Sequence, residues 1–183
     1  YICPECNAVD SFNCKGNDFI CDKCNYDIHI NEFGFFQRIS EGKLHFDNIR
    51  DWFLWEEQKM LNDISKLYNE NFEEIIFEDK NSEVWFSDSD IDLELIGRAD
   101  IRLYINRIEI CFLTEDKVVT MNFDDLKTIN PQVNERLEIF YKNEAWRMIG
   151  GRPGVSALKW EVAMNALWNR MGQKQKLSHY INH

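Results

Sequence analysis

Two Cys-x-x-Cys pairs, Cys3-Pro4-Glu5-Cys6 and Cys21-Asp22-Lys23-Cys24, are the residues here whose type and spacing prescribe a chemistry. A Cys-x-x-Cys turn points two sulfurs at one centre. Two such turns at the ends of a hairpin supply four thiolates in a tetrahedron, the geometry that zinc accepts. The 14 residues between the pairs fall one short of the usual window of about 15–20, which shortens the hairpin without preventing closure. Asn7 and Asn25 follow the pairs, and Asn is among the few non-Gly residues that enter the left-handed backbone region cheaply. The expected ligands are therefore Cys3, Cys6, Cys21 and Cys24 around a structural zinc. A rubredoxin-like iron centre uses the same four sulfurs, so the spacing leaves zinc and iron both open. His29 offers a substitute ligand, but four thiolates already complete the shell. A closed shell leaves no position for water or substrate, so the ion is expected to fold the chain and perform no chemistry. Disulfides would need an oxidising compartment, and no secretory segment is visible. Cys14 and Cys111 fall outside the set, as small, partly buried residues.

The elements that must position these sulfurs come from a chain of 183 residues, 44% hydrophobic and 14% aromatic. That is enough for one large domain or two small ones with a real core. No stretch approaches the about 20 apolar residues of a membrane span. The sequence begins at Tyr1 without Met and is expected to be part of something longer. Its net charge of −11 is uneven. Residues 142–183 hold seven basic residues against two acidic ones, and residues 1–141 hold 14 against 30. An acidic body repels nucleic acid, whose phosphates supply most of the affinity in such complexes, so no nucleic-acid partner is expected.

Three parts are expected: a zinc ribbon over 1–40, a helical connector over 41–73 and a β-rich domain over 74–183. Some 40 residues cannot bury enough surface to fold alone, and a structural zinc contributes an apparent ~10–16 kcal/mol. Within the ribbon, Tyr26 to Ile30 alternates in the manner of a strand. A helix over 47–70 is signalled by Ile49, Trp52, Phe53, Met60, Ile64, Leu67 and Tyr68 at helical spacing, with Asp47 as its N-cap. Trp52 and Trp55 lie on neighbouring faces, one to be covered by the ribbon and the other by the β-rich domain. From about residue 74 the period changes to two. Expected strands are Glu74–Phe77, Glu83–Phe86, Ile91–Ile96, Ile101–Ile105, Ile108–Phe112, Val118–Phe123, Arg136–Tyr141 and Ala145–Ile149, joined by short turns, for a count of seven or so. Gly150-Gly151-Arg152-Pro153-Gly154 breaks the sheet before a helix over Val155–Met171. The fold class is α+β. Antiparallel strands closed by one C-terminal amphipathic helix are the parts of a pleckstrin-homology-like sandwich or barrel, in which the helix covers the open end of a bent sheet.

Gly97-Arg98-Ala99-Asp100-Ile101-Arg102-Leu103 through Trp146-Arg147-Met148-Ile149 resembles a GRAM or pleckstrin-homology-like domain. The two Cys-x-x-Cys-Asn segments, Asn31-Glu32-Phe33-Gly34-Phe35-Phe36 and Phe46-Asp47-Asn48-Ile49-Arg50-Asp51-Trp52 resemble a C-terminal extension found in some Firmicute proteins of the 1-acylglycerol-3-phosphate acyltransferase family. The resemblance implies an accessory region of an enzyme that acylates lysophosphatidate at the cytoplasmic membrane face, with its own upstream acyltransferase domain as partner. The family's catalytic signature is a His and an Asp separated by four residues. Gly34 stands where His29 would need the Asp, Arg50 where His45 would, and His179 and His183 lie too near the end. No catalytic residue carries over.

Other chemistries are weaker. No Gly-x-Ser-x-Gly elbow is present, and the glycine-rich loop at 150–154 lacks the Lys-Ser/Thr of a P-loop. Backbone N–H groups there, with Arg152, could hold an anion. Asp88, Asp90, Asp92 and Glu94 alternate along an expected strand, and such a run is more often a solvated face than a cation site. The basic C-terminal segment makes peripheral contact with an anionic membrane an expectation as well, at about 1 kcal/mol per surface Lys or Arg. The alternative reading is a stand-alone protein-interaction module with a structural zinc and no lipid enzyme attached.

Overall fold

A computed structural model describes residues 1–67, 72–88, 92–132 and 136–177. It is α+β, with two helices and two antiparallel sheets of four and seven strands. The small sheet runs β1 (Phe12–Lys15), β2 (Asp18–Cys21), β3 (Asp27–Ile30) and β4 (Phe36–Arg38), in chain order. Phe12 pairs with Cys21 and Phe19 with Ile28 across it, so one face is apolar. That face closes on Trp52 of α1 (Ile49–Leu67), whose indole meets Phe12 at 5.1 Å and Phe36 at 5.7 Å between ring centroids, both edge-on. Trp52 is thus covered by the ribbon, and half-buried Trp55 touches both the ribbon's cluster and the larger core.

The helix begins two residues after the expected cap, Asp47. The Asp47 carbonyl accepts the Phe36 N–H at 2.8 Å, which commits it to the sheet. Asn48 caps instead: its Oδ1 accepts the Asp51 N–H at 3.0 Å, and its Nδ2 donates to the Asp51 carboxylate at 2.9 Å. The distal end of the expected helix, residues 68–70, lies outside the described residues.

The large sheet holds β5 (Phe77–Ser87), β6 (Glu94–Leu103), β7 (Arg107–Phe112), β8 (Val118–Asn122), β9 (Leu126–Gln132), β10 (Arg136–Tyr141) and β11 (Glu144–Ile149), in the order β8-β7-β6-β5-β11-β10-β9. Its first and last strands are therefore neighbours. Of the two strands expected at 74–77 and 83–86, residues 74–76 precede the sheet, and Phe77 and Glu83–Phe86 belong to one strand, β5. The charged stretch Glu78-Asp79-Lys80-Asn81 reads as a break, but its register shifts between Asp79 and Ser82, with Asn81 at φ 54°, and pairing resumes beyond. Residue 91 of the expected strand 91–96 lies outside the described ones, and the rest of it, from Glu94, runs on into the strand expected from Ile101 as one strand, β6. Ile105, expected in a strand, is buried in the turn before Arg107. β9 was not expected at all: Pro131 argues against a strand, yet β9 is an edge of the sheet, where a missing N–H costs nothing.

The helix α2 (Leu158–Arg170) is shorter than Val155–Met171 and is followed by a 3-10 turn at Lys174–Lys176. Val155 is buried but belongs to the preceding loop. α2 packs on α1 and β9. The inward rows of the sheet, among them Ile101, Leu103, Ile108, Ile110, Ile139 and Met148, form one core with Trp160, Ala163, Leu167 and Trp168 of α2. That same core takes in Met60 and Ile64 of α1 and Ile2 of the ribbon. Among the described residues, no helix is long and apolar enough to cross a membrane.

Candidate metal centre

The two knuckles are built alike. Cys3 O accepts the Asn7 N–H at 2.8 Å, and Cys21 O accepts the Asn25 N–H at 2.9 Å. Cys3 N–H donates to Ala8 O at 2.9 Å, and Cys21 N–H to Tyr26 O at 2.8 Å. Asn7 and Asn25 stand at φ 62° and 60°, the left-handed conformation that turns each chain back on its cysteines. The repeated geometry follows from the repeated sequence Cys-x-x-Cys-Asn.

Cys3, Cys6, Cys21 and Cys24 consequently bring their sulfurs within 4.8 Å of one another. Cys3 and Cys24 approach at 3.6 Å, and Cys6 and Cys21 at 3.7 Å. A tetrahedron with metal–sulfur bonds of about 2.3 Å has edges of about 3.8 Å, and both of these approaches match that edge. Among the described residues this is the one group of His, Cys, Asp or Glu side chains so gathered. None of the six cysteines is in a disulfide.

Burial is unequal around the cage. Cys3 and Cys21 are buried, Cys24 is half-buried and Cys6 is exposed. Burial pushes the Cys3 and Cys24 thiols up. It pushes Cys21 up too, but the Ser11 hydroxyl at 3.2 Å and the Lys23 N–H at 3.4 Å from its sulfur outweigh that, and the thiol falls to about 7. Of these three thiols Cys21 ionises most readily, and an arriving cation would displace protons from Cys3 and Cys24.

The remaining expected residues stand apart. His29 Nδ1 pairs with Asp18 at 2.6 Å and His45 Nε2 with Glu5 at 2.6 Å, so neither completes the shell. Cys14 is exposed on β1 rather than partly buried, and Cys111 is half-buried on β7. Of the acidic run, Asp88, Asp92 and Glu94 are exposed, and Asp90 lies outside the described residues. Arg152 is exposed, with its own neighbour's carbonyl, Pro153 O, at 3.5 Å.

A second polar cluster had no signal in the spacing. Lys159 of α2 is fully buried and donates to Asp10 and to Asp79, and Trp160 Nε1 donates to Asp79 at 2.8 Å. The burial comes from the helix's surroundings: α2 is covered on nearly every side, with Lys159 and Glu161 buried among its apolar residues.

No protein-family model matches the chain, and no curated protein matches it. Among solved structures it is similar to the C-terminal domain of an unknown protein from Leishmania infantum, at 12% identity over 67% of this chain and 97% of that one, with a TM-score of 0.34. A likeness at this level assigns neither fold family nor function.

Proposed function

We propose that this chain is a non-catalytic accessory region, regulatory or docking in role, in which a zinc-clamped ribbon and a connecting helix carry a pleckstrin-homology-like module. The observation that carries this reading is the closed cage of Cys3, Cys6, Cys21 and Cys24. Each corner of the tetrahedron is a protein sulfur, which leaves no corner for water or substrate, as in structural zinc sites. Elemental analysis of protein purified without added metal is expected to find one zinc per chain. Iron in its place overturns the zinc assignment, and full folding with no metal at all overturns the structural role.

The pleckstrin-like reading is supported by the strand order, in which the first and last strands of the large sheet are neighbours and a helix comes after the last. The parent enzyme proposed is a bacterial phospholipid-biosynthesis acyltransferase that acylates lysophosphatidate at the inner face of the cell membrane. Its support is the resemblance of the Cys-x-x-Cys-Asn segments, Asn31–Phe36 and Phe46–Trp52. Sequencing the reading frame upstream of Tyr1 tests it: an apolar-flanked His-x-x-x-x-Asp is expected, and its absence removes the link. Exposed cations such as Arg152 and Lys174 would serve peripheral membrane contact. Pelleting with anionic vesicles is expected at low salt and not at high salt.

A second reading, a stand-alone protein-interaction module, is favoured by one observation. Phe33 and Phe35 are 77% and 53% exposed at the β3–β4 turn, where the Asn31 side chain accepts both of their N–H groups at 3.0 Å. Fixed, exposed aromatics of this kind suit a protein partner.

A further inference from the structure

Ile2 and Asp10 bracket the first knuckle, and both are held by the other half of the molecule. Ile2 N–H donates to Glu56 Oε1 at 2.6 Å, and Ile2 O accepts from Trp52 Nε1 at 3.0 Å. The Ile2 side chain, 2% exposed, sits in the large core. Asp10, at φ 48°, accepts the Ser156 N–H on Oδ1 at 3.2 Å and Lys159 Nζ on Oδ2. Three buried polar groups of the helices, the Glu56 carboxylate, the Trp52 indole N–H and the Lys159 ammonium, thus take partners from the residues flanking Cys3 and Cys6. Lys159 and Glu56 are 0% and 4% exposed. Water cannot easily replace those partners, and a buried charge that loses one is strongly destabilised.

The knuckle's own hold on this geometry is thin. Apart from the sulfurs, residues 3–10 are fastened by the Asn7–Cys3 and Cys3–Ala8 backbone bonds, an isolated bridge between Ile2 and Val9, Asp10 N–H to Tyr1 O at 2.7 Å, the Ser11 hydroxyl on Ala8 O at 3.3 Å and the exposed pair of Glu5 with His45. From these contacts we infer that the first knuckle is a metal-dependent tie. The tie rests on the four-thiolate site: an ion bound by the cysteines fixes Ile2 and Asp10 where Glu56, Trp52 and Lys159 need them, and its release loosens α1, β5 and α2 together with the ribbon. A ligand that binds only the native arrangement stabilises everything cooperative with it. The shared core makes that unit larger than the ribbon.

Amide hydrogen exchange on the full chain, metal-loaded and after chelation, tests the tie. Metal removal is expected to speed exchange by about tenfold or more in 49–67, 77–82 and 158–168 as well as in 1–40. Asp10→Asn leaves all four ligands in place, so it should bind one ion while its 158–168 segment responds less to chelation, the tie being already cut. Lys159→Met cuts it from the other end and makes the same comparison if Asp10→Asn does not fold. Exchange that quickens only within 1–40, in a chain that demonstrably binds and loses its ion, overturns the tie and leaves the metal site standing. An Asp10→Asn response in 158–168 equal to that of the unmutated chain overturns the route through Asp10. A chain that takes up no metal overturns both.

Discussion

Asn25 shows how much a single backbone angle contributes to the metal cage. At φ 60° it must hold a conformation that costs an ordinary L-residue roughly 1–2 kcal/mol, more for a β-branched one. Asn25→Gly is expected to leave metal affinity and melting temperature nearly unchanged. Asn25→Val should lower stability by about 1–2 kcal/mol in urea titrations of the metal-loaded protein. Charge at this scale has a pH signature. Burial works to raise the Glu78 carboxyl, but Arg102, at 2.7 Å, and Lys80 outweigh it, and the group sits below its ordinary value of 4.5. A depressed carboxyl stabilises the fold above the unfolded value and loses that contribution as pH falls through the folded one. Glu78→Gln should therefore cost about 1 kcal/mol or less near neutrality and almost nothing in strong acid, so the two melting-temperature curves converge below pH 4.5. Curves that stay parallel would remove the ion pair from the account. The four ligands were legible at this scale because metal spacing is a local property of sequence. The triad of Asp10, Lys159 and Asp79 was not: its members have no common period or motif, and Asp10 and Lys159 are 149 residues apart.

Elements with a clean period were the readable ones. The hairpin of β6 and β7 alternates buried and part-exposed residues along its paired length, and α1 repeats its buried Trp52, Glu56, Met60 and Ile64 every four residues. The irregular elements were not readable, because tertiary context overrode their local chemistry. β5 crosses a charged stretch by bulging, which turns Asp79 inward to its lysine. β9 tolerates Pro131 because nothing pairs on that side. The bulge also dictates the loop that faces it. A Cβ on Gly151 would lie 2.4 Å from Lys80 O and 2.6 Å from Asn81 O, both backbone atoms that cannot swing aside. Gly151→Ala should push the 150–154 loop off β5 and destabilise by about 1–3 kcal/mol by chemical denaturation. No change would mean that the loop relaxes without strain.

Across the whole molecule, packing links the parts expected on either side of residues 40 and 73. One core collects Ile2, the middle of α1, the inner face of the seven-stranded sheet and α2. A shared core predicts shared cooperativity. Release of the bound ion to a chromophoric indicator, which reports the ribbon, and far-UV dichroism, which reports the strands and helices of the whole chain, should give coincident denaturant transitions in the metal-loaded protein. Two separated midpoints would show that ribbon and sheet unfold independently. The basic C-terminal segment also changes meaning at this scale. Lys159 is spent inside the protein, Arg147 pairs with Glu138, and Lys176 donates to the carbonyls of Phe123 and Asp124, so the positive excess counted along the sequence is only partly a surface property.

The contact between Asp10 and Lys159 also sets an order of assembly. A loop of 149 residues separates them, and closing long loops comes late because the entropy must be spent before the contact repays it. During synthesis, both cysteine pairs emerge far ahead of α2. The ribbon can therefore load its ion while Asp10 still faces water, and the chain is locked only when the last helix arrives.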